Sequence, residues 1–139
     1  MLKAAGTIFL SQTTGRVLLN YRSQSVSSPH VWGFWGGKIH SNEKILDGLS
    51  REVIEELGFI PEYKRIIILD EYKSPDKEFI YYSFLVVVND EFIPHLNDES
   101  DGYGWFNIGA YPKDLHVGAK KILLNKALIQ TLKKISKEK

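Results

Sequence analysis

GKIHSNEKILDGLSREVIEELGF, residues 37–59, is the stretch on which the reading of this chain turns. From Asn42 to Leu57 it carries the best helical pattern in the sequence, and Gly58 stands where a left-handed C-cap closes such a helix. At 100° per residue, Leu46, Leu49, Val53, Ile54 and Leu57 share one arc that can face a sheet, and Glu52, Glu55 and Glu56 share the neighbouring arc. Exposed carboxylates spaced within a turn of one another repel by ~0.2–0.5 kcal/mol per pair. Arg51 can pair with Glu55 at i,i+4, but one guanidinium does not neutralise three acids and also leave them open to a substrate. A hard divalent cation does: Mg²⁺ or Mn²⁺ takes carboxylate oxygen and keeps its other positions for waters and phosphates. Gly48, one turn before Glu52, leaves space for a metal or a second backbone segment to come close.

Around this helix the pattern is mostly β. Lys3–Leu10 and Arg16–Arg22 flank a polar loop with Gly15 near its end, which predicts a hairpin. Val31–Gly37 is dense in aromatic residues and Gly. Tyr63–Tyr72 and Glu78–Val88 read as two strands joined across Ser74-Pro75-Asp76, strong turn chemistry. Asn89–Gly104 is polar and acidic, Trp105–Ile108 is a short extended piece, and Val117–Ile135 has a helical period with a basic tail. Strands outnumber helices and begin with a hairpin, so the expectation is a mixed sheet with helices packed on it.

Composition narrows the function classes. The 139 residues suit one domain spanning 1–139. The longest unbroken apolar run, Phe84–Val88, is too short for a helix that crosses a bilayer. A net charge of +1 supplies no global field toward nucleic acid or anionic lipid, which disfavours long nucleic acid as a partner and requires a local site for any polyanion. With no cysteine there is neither a disulfide framework nor a thiolate metal site. Ala4–Leu10 follows a single Lys and lacks a cleavage pattern, so it reads as a first strand, and the cytoplasm is the expected compartment.

Gly37, five residues, Glu43, seven residues, Arg51-Glu52, Val53, Glu55-Glu56, Gly58 and Phe59 reproduce in full the signature of the Nudix hydrolases. By average residue usage such a match arises at about one start position in a billion. The flanks are similar to that family as well: Trp32-Gly33-Phe34-Trp35-Gly36-Gly37 enters the box, and an acidic stretch precedes Trp105-Phe106. The resemblance implies an α/β fold, an α/β/α sandwich around a mixed sheet. It also implies hydrolysis of a phosphoanhydride in a small nucleoside diphosphate linked to another moiety: ADP-ribose, a nucleotide sugar, a dinucleoside polyphosphate or a modified nucleoside triphosphate. On this resemblance Glu55 and Glu56 are metal ligands, joined by a main-chain carbonyl at Gly36 or Gly37, and Glu52 is either a ligand or the base that activates water. Some relatives use a base outside the box, a role for which Glu99 is the candidate beside its plain reading as a solvated loop acid. Glu43, Arg51 and Gly58 are structural within the motif, the Arg orienting the glutamates.

Arg22, at the end of the second strand, is a candidate phosphate contact or a surface charge. Trp32, Phe34, Trp35, Tyr81, Tyr82 and Phe84 could stack on a base or, as aromatics at strand spacing more often do, fill the core; Trp35, beside the box, is the aromatic expected at the substrate. Many relatives carry Pro in place of Trp35, and an acid and a Gly in place of His40 and Asn42. A homodimer is compatible with the resemblance. The alternative class is a nucleotide sensor that no longer cuts, which is expected to have lost a box glutamate; this chain keeps all of them.

Overall fold

A computed structural model describes residues 1–138. Seven strands, β1 (Leu2–Ser11), β2 (Arg16–Arg22), β3 (Trp32–Gly33), β4 (Trp35–Ile39), β5 (Arg65–Lys73), β6 (Phe79–Val88) and β7 (Ser100–Asn107), form one sheet. Its main path runs β3-β2-β1-β6-β5, with β4 added to β1 and β7 to β2. β1 and β6 are parallel and the remaining pairs antiparallel, so the sheet is mixed.

Strand alternation builds two cores, one on each face. Along β1, Ala5 and Phe9 join Leu49, Val53 and Leu57 of helix α1 (Ile45–Leu57) on one side. Ile8 and Leu10 face the other side, with Leu123 of α2 (Val117–Leu123) and Leu132 and Ile135 of α3 (Lys126–Ser136). β6 repeats the division, with Phe84, Val86 and Val88 toward α1 and Leu85 and Val87 away from it. The result is an α/β/α sandwich. No helix among the described residues is long and apolar enough to cross a membrane.

Several boundaries differ from the pattern-based reading. Helix α1 begins at Ile45 and not at Asn42, because Glu43 turns back to accept the His40 N–H at 2.7 Å and Lys44 stays extended as the N-cap. Its buried face is Gly48, Leu49, Val53, Glu56 and Leu57, rotated toward the glutamates, while Leu46 and Ile54 are exposed. The C-terminal helical period divides in two at Leu124–Asn125, where the Asn125 side chain accepts from Leu128 N–H at 3.0 Å and starts α3. β7 begins at Ser100, well before Trp105. Pairing along the whole of β2, from Arg16↔Asn107 to Arg22↔Ser100, outweighs the poor strand propensity of Asp101, Gly102 and Gly104.

The sheet forks beside α1. β1 and β2 are in register at Phe9↔Leu18 and Leu10↔Val17; from Thr7↔Trp35 onward β1 takes β4 as its neighbour, while the rest of β2 continues with β3 and β7. At the fork Gly36 lies opposite Gly6 with φ of 147°, and a Cβ on Gly36 would overlap the Ala5 carbonyl oxygen. Only glycine suits that position, because both the backbone angle and the strand approach exclude a side chain. Gly36→Ala is therefore expected to lower unfolding stability by about 2–4 kcal/mol, measured by urea titration of purified protein, through combined strain and overpacking.

Candidate active site

The fork opens into a cleft of about 490 Å³ lined by Asn20, Arg22, Gly36, Gly37, Lys38, His40, Glu52, Glu55, Glu56 and Glu99, with Val26 and Ser27 at its rim. The chain thus brings the glutamates of α1, the glycines of β4, Arg22 of β2 and the acid of the distant loop to one place. A second hollow, between α1 and the Ile60–Ile66 stretch, is about 40 Å³ and carries no carboxylate.

Arg51 organises the acidic wall. Its guanidinium donates to both oxygens of Glu43, at 3.2 and 2.7 Å, to Glu52 at 3.0 Å, to Glu55 at 3.5 Å and to the Lys38 carbonyl at 2.9 Å. One side chain ties the helix to the loop before it and to the end of β4. The bidentate bond from Arg51, followed by the His40 N–H, holds Glu43 well below the usual carboxylate range, at about 2. The Glu43 carboxylate raises Arg51 in turn. Gly48 is bare for this packing and not for a metal: a Cβ there would lie 2.6 Å from Ile39 Cδ1 and 2.9 Å from Glu43 Oε1.

Glu56 is the least exposed carboxylate of the cleft, at 4%. Its Oε1 accepts the Gly36 N–H at 2.6 Å, the bond that joins α1 to the fork. Burial pushes its pKa up to about 8, against the Gly36 hydrogen bond and with added repulsion from Glu99 and Glu52; Arg22 pulls the other way. Burial also raises Glu52, reinforced by Glu55 and Glu99 and opposed by Arg51. Gly37 is bare so that Glu52 can lie over it, for a Cβ at Gly37 would be 2.6 Å from the Glu52 carboxylate.

Glu99 reaches the cleft because its loop is strapped to α1. His95 N–H bonds the Leu57 carbonyl at 2.9 Å, Asn97 Nδ2 donates to the Glu55 carbonyl at 2.9 Å, and Asn97 Oδ1 accepts Glu99 N–H at 2.9 Å. Arg22 lines the opposite strand, its guanidinium donating to the Ser27 and Ser28 carbonyls. Trp35, expected to stack on a base, does not line the cleft: it is 0% exposed, belongs to the α1-side core, and its indole donates to the Leu18 carbonyl at 3.3 Å. A ring between two packed layers offers no face to a ligand. Phe34 and Phe84 are buried likewise, and Trp32 packs against Tyr21 and Phe106. Pattern reading missed Asn20, Lys38 and Asn97. Only Lys38 carried a signal, its place one residue after Gly37.

The donor set suits a hard divalent cation. Glu52, Glu55, Glu56 and Glu99 share the cleft with Arg22 and Lys38, so four carboxylates stand beside two formal cations, and hard carboxylate oxygens are what Mg²⁺ or Mn²⁺ prefers. Among the described residues no three acidic or imidazole groups already converge as a closed ligand set, Glu52 and Glu55 being engaged by Arg51 and Glu56 by Gly36.

A model of the NUDIX domain matches residues 1–125. An 8-oxo-dGTP diphosphatase of Buchnera aphidicola subsp. Acyrthosiphon pisum is 34% identical over 65 residues, covering 47% of this chain and 52% of that protein, so the match spans about half the relative's length. A Nudix hydrolase from M. smegmatis, RenU, superposes with a TM-score of 0.72 at 19% identity over 96% of this chain and 84% of its own. A MutT NUDIX hydrolase from Burkholderia pseudomallei gives 0.67 at 22% identity over 88% and 95%. At these identities the structural likeness concerns the fold.

Because Glu43 titrates lower in the folded state, at about 2, than its ordinary 4.5, the stability it contributes is complete above pH ~4.5 and is lost as pH falls toward 2. Thermal unfolding across that window should show the wild-type midpoint falling more steeply with acid than that of Glu43→Gln, which should already be less stable at pH 7.

Proposed function

The chain belongs to the NUDIX domain family, and from that premise we propose that it is a divalent-metal-dependent hydrolase that cleaves a phosphoanhydride in a small nucleoside diphosphate derivative. The observation that carries the reading is that Glu52, Glu55, Glu56 and Glu99 line one cleft of the sheet together with Arg22. A diphosphate repels an incoming nucleophile, so a site for its hydrolysis needs cations against the phosphates and an acceptor for the proton of water.

Glu52, Glu55 and Glu56 would hold Mg²⁺ or Mn²⁺, with a Gly37 carbonyl as a further oxygen. The bound ion would neutralise the diphosphate and polarise its oxygens. Arg22 orients a phosphoryl oxygen once its guanidinium exchanges the Ser27 and Ser28 carbonyls for substrate. Glu99 faces the glutamates of the helix from the strapped loop and takes the proton of the attacking water; Glu52 is the second candidate for that base. The water oxygen bonds to phosphorus, the P–O–P bridge breaks, and the electron pair leaves with the departing phosphate. Arg51 acts by holding Glu52 in place. Similarity to the 8-oxo-dGTP diphosphatase puts oxidised purine nucleoside triphosphates first on a substrate panel, ahead of dinucleoside polyphosphates, ADP-ribose and nucleotide sugars.

Release of phosphate, pyrophosphate or nucleoside monophosphate from that panel should require Mg²⁺ or Mn²⁺ and stop with chelator. Glu52→Gln should cost about 10²–10⁴ in kcat with little change in melting temperature. Glu99→Gln should lower kcat more than it raises KM; normal turnover of Glu99→Gln would move the base to Glu52. Tight binding of one compound without turnover of any would overturn the hydrolase in favour of a nucleotide sensor.

A further inference from the structure

Asn20 stands at the apex of the fork, two residues beyond the last β1–β2 pair at Phe9↔Leu18. It is 1% exposed, and its Oδ1 is wholly buried with no hydrogen-bond partner. Ser83, Ser100 and Tyr111 also hold an unpartnered buried oxygen, but of these four residues only Asn20 lines the cleft. Burying an amide oxygen without a donor destabilises a fold, since the water it gave up is not replaced. Nothing in the sheet uses this amide: Leu18, two residues earlier on the same face, is an ordinary member of the α1-side core. A Leu at position 20 would continue that pattern.

The chemistry of the orphan restricts what can satisfy it. A carboxamide oxygen accepts and does not donate, and phosphate oxygens are acceptors too. The phosphate contact on this strand is Arg22, two residues along the same face. Opposite Asn20 in the ladders lie Gly33, which has no side chain, and Tyr103, whose ring is partly exposed on that face. We propose that Asn20 is a substrate-binding residue whose side-chain oxygen accepts a hydrogen bond from an N–H or O–H group of the organic moiety carried by the diphosphate. The amide then reads the nucleoside while Arg22 and the acidic wall hold the phosphates. This rests on the reading of the cleft as a diphosphate site.

The test is calorimetric binding, in Mg²⁺, of α,β-methylene nucleoside diphosphates bearing each of the common bases, and of inorganic pyrophosphate, to wild type, Asn20→Leu and Asn20→Ala. Both variants should lose about tenfold or more in affinity for the nucleotide that wild type binds best and keep wild-type affinity for pyrophosphate, which also certifies a folded site. Asn20→Leu should melt a few degrees above wild type, because the orphaned oxygen is gone. Unchanged nucleotide affinity in both variants would overturn the proposal alone. Equal loss of nucleotide and pyrophosphate, or a lowered melting temperature in both variants, would overturn it by making the amide structural or a partner of the diphosphate. Wild type binding no nucleotide would remove the hydrolase reading itself, and the proposal with it.

Discussion

A single guanidinium holds the acidic wall of this protein together. Arg51 spends two donors on Glu43 and spreads the rest over Glu52, Glu55 and the Lys38 carbonyl. The bidentate, charge-assisted contact with Glu43 fixes geometry as well as supplying attraction, so the place of each group here is set by its partner on Arg51. Glu43 takes the larger share of the positive charge, as its depressed titration near 2 records. Glu52 and Glu56, desolvated by burial and repelled by their acidic neighbours, titrate high. Arg51 thus fixes the geometry of the wall without discharging it, which keeps the wall attractive to a divalent ion.

That arrangement depends on a fork in the sheet. If β1 stayed paired with β2 along its length, no room would exist for Glu56 to meet the Gly36 N–H. The chain makes the fork by breaking one extended segment at Phe34, so that Trp32 and Gly33 pair with β2 while Trp35 to Ile39 pair with β1. Phe34 is buried on the side of α2 and α3 and Trp35 on the side of α1, which pins the break from both layers. Gly36 then lets the backbones close tightly enough for the glutamate of a helix to reach a strand amide, and Gly6 opposite it is bare for the side chains of Tyr81 and Phe34.

The helix with its C-cap, the first hairpin, the β5–β6 turn and the glutamates were legible because each follows from spacing or from a residue with one strong local preference. Gly58 has φ of 83° and its N–H bonds the Ile54 carbonyl, as a left-handed cap requires. What local pattern did not disclose was set by partners far along the chain. The first half of β7 is extended because β2 is there to pair with it. Trp35 sits next to the motif, yet the alternation of β4 turns its ring into the core, an orientation that adjacency does not reveal. Asn20 lies in a run of buried strand residues where an amide looks incidental until the fork is seen, and Asn97 is one polar residue among many until its two bonds join the loop to α1.

Several departures of this protein from local rules lie around the cleft, although unpartnered buried oxygens also occur outside its lining, at Ser83, Ser100 and Tyr111. Away from the cleft the two cores are alternating aliphatic and aromatic residues, and the positive φ of Lys77 belongs to a tight turn. Around the cleft are a buried carboxylate at Glu56 and a second desolvated one at Glu52. There too are the unpartnered Asn20 oxygen and, in the loop that Arg22 grips, positive φ angles at Ser28 and His30. Each of these weakens the folded state taken singly. Core packing on both sides of the sheet offsets them. The desolvated Glu52 and Glu56 belong to the glutamate spacing itself, whereas the unpartnered Asn20 oxygen and the left-handed Ser28 and His30 are features of the same region that the spacing does not contain.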